Sequence, residues 1–258
     1  MIVLYTDFGW RDPYVGQLKA VLQSRAPRVP VIDALHDVPP FAVEPAAHLL
    51  AALVPFYPRG SVFIALVDPG VGGPRDAIMV QADGYRMIGP DNGLLSIVWQ
   101  RARRRSCRRI TWRPARMSTS FHGRDLFAPV AAALARGCVP RGWLVAQRAP
   151  QILLDARDLA QVIYIDHYGN AMTGLRAKGV SHEARLHAAG RRLARAGTFG
   201  DAPAGGAFWY ENSVGLVEIA ANRVSAARKL GLRVGSRVVL GKEGRGVPLH
   251  RRARQSQH

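Results

Sequence analysis

The chain has 258 residues, 48% hydrophobic and 21% charged, a balance that excludes a disordered polypeptide and leaves room for one or two cored domains. Its 36 Lys plus Arg against 18 Asp plus Glu give a formal charge of +18, carried by 32 Arg and only four Lys. No uncharged apolar run reaches the roughly 18–20 residues a membrane helix needs, and MIVLYTDFGW has no basic stretch ahead of an apolar one, so neither a membrane span nor a signal peptide is expected.

In chain order, residues 1–6 read as a short apolar strand, followed by a polar loop and a helix over YVGQLKAVLQSRA. VPVIDAL is a strand, HDVPP a turn enforced by Pro39 and Pro40, and FAVEPAAHLLAALVPFY a helix. SVFIALVD is a continuous apolar strand of the kind a sheet covered on both faces requires. DAIMVQADGYRMIGPDNG divides into two short strands, LLSIVWQRARR is helical, and the helix APVAAALARG closes at Gly137. Strands alternating with helices of this length predict βαβ units, hence an α/β domain with a largely parallel central sheet flanked by helices. Past residue 150 the pattern changes to short strand-like runs split by Gly, Asn and Pro (QVIYIDHYGNAMTGL, AFWYENSVGLVEIAAN, SRVVLGK), with one short helix in NRVSAARKLGL. The expected organisation is an N-terminal α/β catalytic domain over 1–150 and a smaller antiparallel β domain with a basic tail over 151–258.

Cys107 and Cys138 lie far apart without CxxC spacing, which argues against structural zinc and a disulfide framework and fits a cytoplasmic protein. Two arginine clusters stand out, RARRRSCRR at 101–109 and HRRARQSQH at 250–258. Such clusters can form an electrostatic footprint for nucleic acid. Here no zinc-finger spacing, RRM signature or helix-turn-helix accompanies them, and the aromatics are not interleaved with the charge. The clusters read as solvated faces, and no nucleic-acid partner is expected.

Chemistry in an open α/β sheet belongs in loops at the carboxyl ends of strands. Four such segments carry polar residues in Gly/Pro contexts: TDFGWRDPYVG (Asp7, Asp12), VDPGVGGPRDA (Asp68, Arg75, Asp76), IGPDNG (Asp91, Asn92) and STSFHGRDLFAP (His122, Arg124, Asp125). Taken singly, each is equally an ordinary turn. There is no GxSxG elbow, no Walker A run and no GxGxxG with an acidic partner. A metal held by Asp7, Asp68 and His122 is chemically conceivable, but no HxH or HExxH spacing favours it, so no metal and no cofactor are expected.

The ordered set TDFG..DPYVG, LHDVPPF, VDPGVG, PDNG, FHGRD.FAP, DHYGN..TG and NS.GL.EIAAN resembles the S-adenosylmethionine hydroxide adenosyltransferases, relatives of the fluorinating and chlorinating enzymes, over roughly residues 1–240. The resemblance implies an α/β domain followed by a β domain, and a homotrimer whose active sites lie between the N-terminal domain of one subunit and the C-terminal domain of the next. It implies attack of water or hydroxide on C5′ of S-adenosylmethionine, giving adenosine and methionine without a metal. The catalytic set carries over to Asp68, Arg75 and His122. Asp12, in the same motif as Asp7, matches a carboxylate that holds the ribose hydroxyls, and Phe41 matches an aromatic beside the adenosyl group. Asp166 and Asn170 match residues binding the methionine ammonium, Tyr168 an aromatic on adenine, Ser213 a hydroxyl receiving the carboxylate, and the backbone from Ala221 to Arg223 the adenine edge. In the halogenating branch, Tyr stands at the positions of Asp68 and His122 and a hydroxyl residue at that of Gly123, so water is expected rather than halide. Two departures concern the methionine end: Gly174 stands where the family has Asn, and Val214 where halogenating relatives have Arg. The competing readings are an adenosyl-binding sensor with little turnover and a halide-dependent 5′-halogenase.

Overall fold

The computed structural model describes residues 1–241. The basic segment at 250–258 lies outside them. A seven-stranded sheet is built from β1 (Ile2–Thr6), β2 (Val31–Leu35), β3 (Val62–Leu66), β4 (Ala77–Ala82), β5 (Tyr85–Pro90), β6 (Arg105–Ile110) and β7 (Leu144–Gln147), in the order β2-β1-β3-β5-β4-β6-β7. The half formed by β2, β1, β3 and β5 is parallel. The half from β5 through β4 and β6 to β7 is antiparallel. The sheet is therefore mixed, and its parallel half carries the βαβ units expected from the sequence.

All five residues of β1 and all five of β3 are buried, because helices cover both sheet faces. Val3, Tyr5, Phe63 and Ala65 point to the face covered by α2 (Val43–Leu53) and α3 (Ser96–Arg101). Ile2, Leu4, Val62 and Ile64 point to the opposite face, under α1 (Tyr14–Arg25) and α4 (Ala128–Ala135). Each such side chain contributes about 1.5–3 kcal/mol of transfer free energy, which fixes register and leaves the loops at the strand ends to carry chemistry. Among the described residues no helix is long and apolar enough to cross a membrane.

Strands β6 and β7 went unread in the sequence. RSCRRI lies within the arginine cluster, and only Cys107 and Ile110 face inward, one to each side, while Arg105, Arg108 and Arg109 are exposed. From Arg103 to Arg109 the arginines of the cluster are exposed, but those from Arg105 to Arg109 lie in a strand, and Arg101, at the end of α3, is half-buried and donates to the Ala156 carbonyl.

The remaining strands form two antiparallel sheets. One contains β8 (Leu159–Ile165), β9 (Ala171–Arg176), β12 (Ala207–Glu211) and β13 (Leu216–Ala221) in the order β12-β13-β9-β8. The other contains β10 (Arg185–Ala188), β11 (Arg191–Leu193) and β14 (Val238–Gly241) in the order β11-β10-β14. A core of Val162, Leu186, Trp209, Val217 and Ile219 joins them to the short helix α5 (Ala226–Leu230), which Gly231 ends in the left-handed conformation.

Gly174 on β9 is buried against β8. A Cβ added there would lie 2.5 Å from Leu159 Cβ and 2.7 Å from the Leu159 carbonyl oxygen. The asparagine that the sequence resemblance implies at this position does not fit this backbone spacing.

Candidate active site

Asp68 follows β3, and the turn Pro69–Pro74 returns the chain to β4 with Arg75 pointing back. Val71 N–H donates to the Asp68 carbonyl (3.2 Å) and Gly73 N–H to the Gly70 carbonyl (2.9 Å). Gly72 adopts φ +83°, and a Cβ there would sit 2.6 Å from the Thr119 carbonyl oxygen. Only glycine lets this turn press against the 118–121 loop, and that contact brings Arg75 to His122. His122 is 7% exposed and enters a π-helical turn, Gly123–Phe127, that runs into α4. The loop before it is braced by Asp125, which accepts from the Ser118 N–H (2.8 Å) and from Arg124, whose Nη1 reaches Gln17 Oε1 at 2.8 Å.

Arg75 Nε donates to Asp68 Oδ1 (3.0 Å) and Oδ2 (2.9 Å), and Nη2 donates to Oδ2. The same Nη2 lies 3.0 Å from His122 Nδ1. A guanidinium has only donors, so Nδ1 accepts and the remaining imidazole hydrogen sits on Nε2. Burial first, then the Arg75 charge, hold the His122 pKa below its ordinary value against the pull of Asp68. His122 is thus a neutral ring in the Nε2–H form. Asp68 accepts three of the roughly four hydrogen bonds a carboxylate can take, two on Oδ2 and one on Oδ1, which leaves Oδ1 with one free position. A cavity of about 290 Å³ opens beside Arg75 and His122, walled by Gly72, Arg113, Met117 and Leu126.

Asp7 ends β1, its N–H donating to the Leu66 carbonyl (3.2 Å). Burial raises its pKa; the Phe41 N–H (3.4 Å) opposes the rise and the Asp68 charge adds to it. The TDFG and HDVPPF loops are tied together by Thr6 Oγ1 and His36 Nδ1 (2.7 Å) and by Gly9 N–H to the His36 carbonyl (2.7 Å). His36 Nε2 in turn meets Asp33 Oδ1 at 2.9 Å. At the end of the second loop Phe41 stands at φ +62° and is 74% exposed. Asp12, further along the same loop as Asp7, is exposed and has no hydrogen bond among the described residues. Asn92 of the PDNG turn donates to the Val67 carbonyl (2.8 Å), and Asp91 accepts from the Gln151 N–H. The PDNG motif therefore secures the end of β3, as a turn-forming reading expects.

The C-terminal candidates gather around a second cavity of about 590 Å³, whose walls include Tyr168, Asn170, Phe199, Ala221, Arg223 and Ser225. Gly169 (φ +83°) turns the chain against Ser225 and leaves the Tyr168 ring 76% exposed. Asp166 is fixed from one side, its Oδ1 accepting the Asn170 N–H (2.8 Å) and Oδ2 the Asn170 Nδ2 (2.9 Å). Arg223, two residues past the end of β13, stands at φ +62°. Ser213 is exposed in a turn folded by Asn212, whose Oδ1 accepts from Val214 N–H (3.1 Å) and Leu216 N–H (2.9 Å). Asp166 and Ser213 are not among the residues walling this cavity, and it shares no wall residue with the Arg75–His122 cavity.

One group escaped the sequence reading. Glu218 is 2% exposed on β13, where its Oε2 accepts from Asn212 Nδ2 (2.7 Å) and its Oε1 from the Tyr210 hydroxyl. Burial raises its pKa, and the Asp166 charge adds to the rise. The signal was present: GL.EIAAN is apolar on both sides of the glutamate, which marks a carboxylate buried within a strand. Among the described residues no three His, Cys, Asp or Glu side chains gather as a metal-ligand group, and the site is wired by hydrogen bonds.

A mixed α/β sheet whose strand ends carry an Asp–Arg–His cluster, followed by a β unit with an aromatic-walled cavity, defines the architecture to which comparison gives a name. The SAM hydroxide adenosyltransferase N-terminal domain matches residues 2–142 and its C-terminal domain residues 160–239. The chain belongs to this family. It is 38% identical over 257 residues to the (R)-S-adenosyl-L-methionine hydrolase of Thermus thermophilus, covering 93% of this chain and 98% of that protein. A more distant relative is a fluorinase of Actinopolyspora mzabensis, 27% identical over 286 residues and covering 92% and 96% of the two chains. Among solved structures, an uncharacterized conserved protein from Thermotoga maritima superposes with a TM-score of 0.85 at 30% identity, over 94% of this chain and all of that one.

Proposed function

We propose that this protein hydrolyses S-adenosylmethionine to adenosine and methionine. The observation that carries the mechanism is the Asp68–Arg75–His122 cluster: a carboxylate fixed by a planar fork with one acceptor position left on Oδ1, and a neutral imidazole held through Nδ1 by the same guanidinium with its hydrogen on Nε2. A water held by Asp68 Oδ1 and His122 Nε2–H is oriented for in-line attack on C5′. The C5′–O bond forms as the C5′–S bond breaks, the sulfonium leaves as the neutral thioether of methionine, and the water's proton passes to Asp68. His122 cannot take that proton on Nδ1, because Arg75 occupies the lone pair there. No metal or cofactor enters this scheme.

Water is favoured over halide by packing at Gly123. A Cβ there would lie 3.1 Å from the Phe121 ring, 3.2 Å from Leu66 and 3.3 Å from Phe8. The hydroxyl-bearing side chain that the halogenating branch places here would require these three side chains to give way by a few tenths of an ångström. For the substrate, we assign the ribose to Asp7 and Asp12, the adenosyl group to Phe41 and Tyr168, the methionine ammonium to Asp166 and Asn170, its carboxylate to Ser213, and the adenine edge to the backbone at Arg223. The separation of the two cavities within one chain supports active sites completed by a neighbouring subunit, as in a homotrimer. The proposed domain boundary near residue 150 agrees with the change of sheet between β7 and β8. A cytoplasmic location fits the free thiols of Cys107 and Cys138.

The test is metal-stripped protein incubated with each sulfonium epimer of S-adenosylmethionine, with and without chloride, products being read by chromatography and mass. The Thermus relative's name specifies the (R) form. Adenosine and methionine in both media are expected, and Asp68→Ala is expected to slow their release by about 10²–10⁴ while retaining measurable binding. A 5′-chloro product would establish the halogenase instead, and saturable binding without turnover the sensor.

A further inference from the structure

The arginines around 103–105 take no part in the proposed reaction, yet they are not scattered over the surface. Arg103 and Arg104, in the link from α3 to β6, and Arg105, the first residue of β6, meet Arg59, in the turn before β3, around a cavity of about 690 Å³. Its floor is the Asp83–Gly84 turn joining β4 to β5, with both residues at positive φ (+45° and +95°) as a tight hairpin turn requires. Asp83 is the one carboxylate in the walls. It is already engaged, accepting from the backbone N–H groups of Arg103 (3.1 Å) and Arg104 (2.9 Å). It thereby shapes the arginine segment, and it feels the Arg59 and Arg103 charges without a direct ion pair to either. The stem of Arg59 passes over Gly84, its Cδ 3.7 Å from where a Cβ would stand. Arg105 is anchored above the Trp99 ring (4.2 Å) and donates to the Gln100 carbonyl (2.7 Å). The side chains of Arg59, Arg103 and Arg104 have no hydrogen bond or ion pair among the described residues. Four guanidinium groups face one spent carboxylate, with Gln81 and Ser106, opposite each other in the β4–β6 ladder, as neutral donors at the wall.

We propose that this cavity binds a compact, multiply charged phosphate anion: an oligophosphate chain, free or as the triphosphate of a nucleotide. Guanidinium forks match phosphate oxygens in pairs, and three of them here lack any other acceptor. A compact ligand is favoured over a nucleic-acid strand by the alternation of β6. Arg109 lines a separate cavity with Asp76 and Gln147, and Arg108 lines neither, so the charge converges at one point and forms no continuous stripe. The site is also apart from the reaction centre. Arg59 precedes β3 and Asp68 follows it, so the strand separates them by about 20 Å.

The experiment is calorimetric titration of the full chain with sodium tripolyphosphate, and with ATP in the presence of saturating adenosine, at 50 and 200 mM KCl, for the wild type and for Arg103→Ala and Arg59→Ala. The expected result is one saturable site per chain, weakened by salt and weakened on the order of tenfold or more by either substitution, while S-adenosylmethionine turnover is unchanged. Equal affinity for both ligands identifies the phosphate chain as the determinant; tighter ATP binding identifies the nucleotide. Absence of saturable tripolyphosphate binding, binding indifferent to both substitutions, or stronger binding to a duplex oligonucleotide than to tripolyphosphate would overturn the proposal. Because the readout is binding of phosphate, failure of the hydrolase reading leaves this test intact.

Discussion

Replacing Arg75 by lysine keeps the positive charge and removes the fork, so it separates electrostatics from geometry in the catalytic cluster. Arg75 uses Nε and Nη2 to make three contacts with Asp68 and shares Nη2 with His122. A lysine Nζ is a single nitrogen. It can hold one Asp68 oxygen or His122 but cannot reproduce the shared arrangement. Two to three charge-assisted hydrogen bonds are therefore lost, each worth about 1.5–3 kcal/mol. The two side chains are only 13% and 11% exposed, so water restores just part of this. A net loss of about 3 kcal/mol, expressed in the step where the water must be held, corresponds to a fall of roughly 10² in kcat. KM should stay within about threefold, because Arg75 has no assigned contact with the substrate. Initial rates of adenosine release over a substrate series measure both. A kcat for Arg75→Lys within threefold of the wild type would show that charge alone suffices, and the fork argument would be wrong.

Other outcomes follow from packing and protonation. Burial first and the Arg101 charge second push the His48 pKa down to about 4, so the unfolded chain binds the extra proton between pH 6.5 and 4. Stability is therefore full above pH 6.5 and declines as pH falls through that window, by up to ~1.4 kcal/mol per unit. Melting curves should show the decline, and His48→Met should flatten it; an equal slope in that variant would assign the effect elsewhere. Gly169→Ala forces a Cβ to within 2.0 Å of Ser225 Oγ at φ +83°. It should lower Tm by more than ~4 °C and weaken substrate binding, whereas Gly60→Ala, with φ +87° but open space around it, should incur the backbone strain alone. Matching Tm values for the two variants would refute the steric part of this account.

Most of the α/β framework was legible because its strands are buried on both faces and its helices are bounded by Gly and Pro. The order from β1 to α3, and the helix α4 with its closure at Gly137, could be read on hydrophobic runs alone. What escaped is instructive. In β6 the arginines that make the cluster conspicuous also mask the strand, since only Cys107 and Ile110 face inward. The antiparallel half of the sheet was invisible for a related reason: pairing direction depends on which strands become neighbours, and DAIMVQADGYRMIGP looks the same either way. At the site, the motifs placed Asp68, Arg75 and His122 at strand ends, but each alone is also an ordinary turn residue. Their convergence depends on Gly72 meeting the Thr119 carbonyl, a contact 47 residues distant in sequence. Glu218 was passed over because its partners, the Tyr210 hydroxyl and the Asn212 amide, are polar neighbours that only the β12–β13 hairpin brings beneath it.

The close approach of Gly174 to Leu159 makes these two positions a linked inheritance. An asparagine transplanted from a relative into this chain would meet the Leu159 backbone before it met any ligand. The substitution requires β8 to stand farther from β9 at this point, so the residue at 174 and the spacing of the two strands go together. A chain given asparagine at 174 with β8 unchanged would meet the collision, whereas one in which β8 and β9 are exchanged as a unit could have the spacing that relieves it.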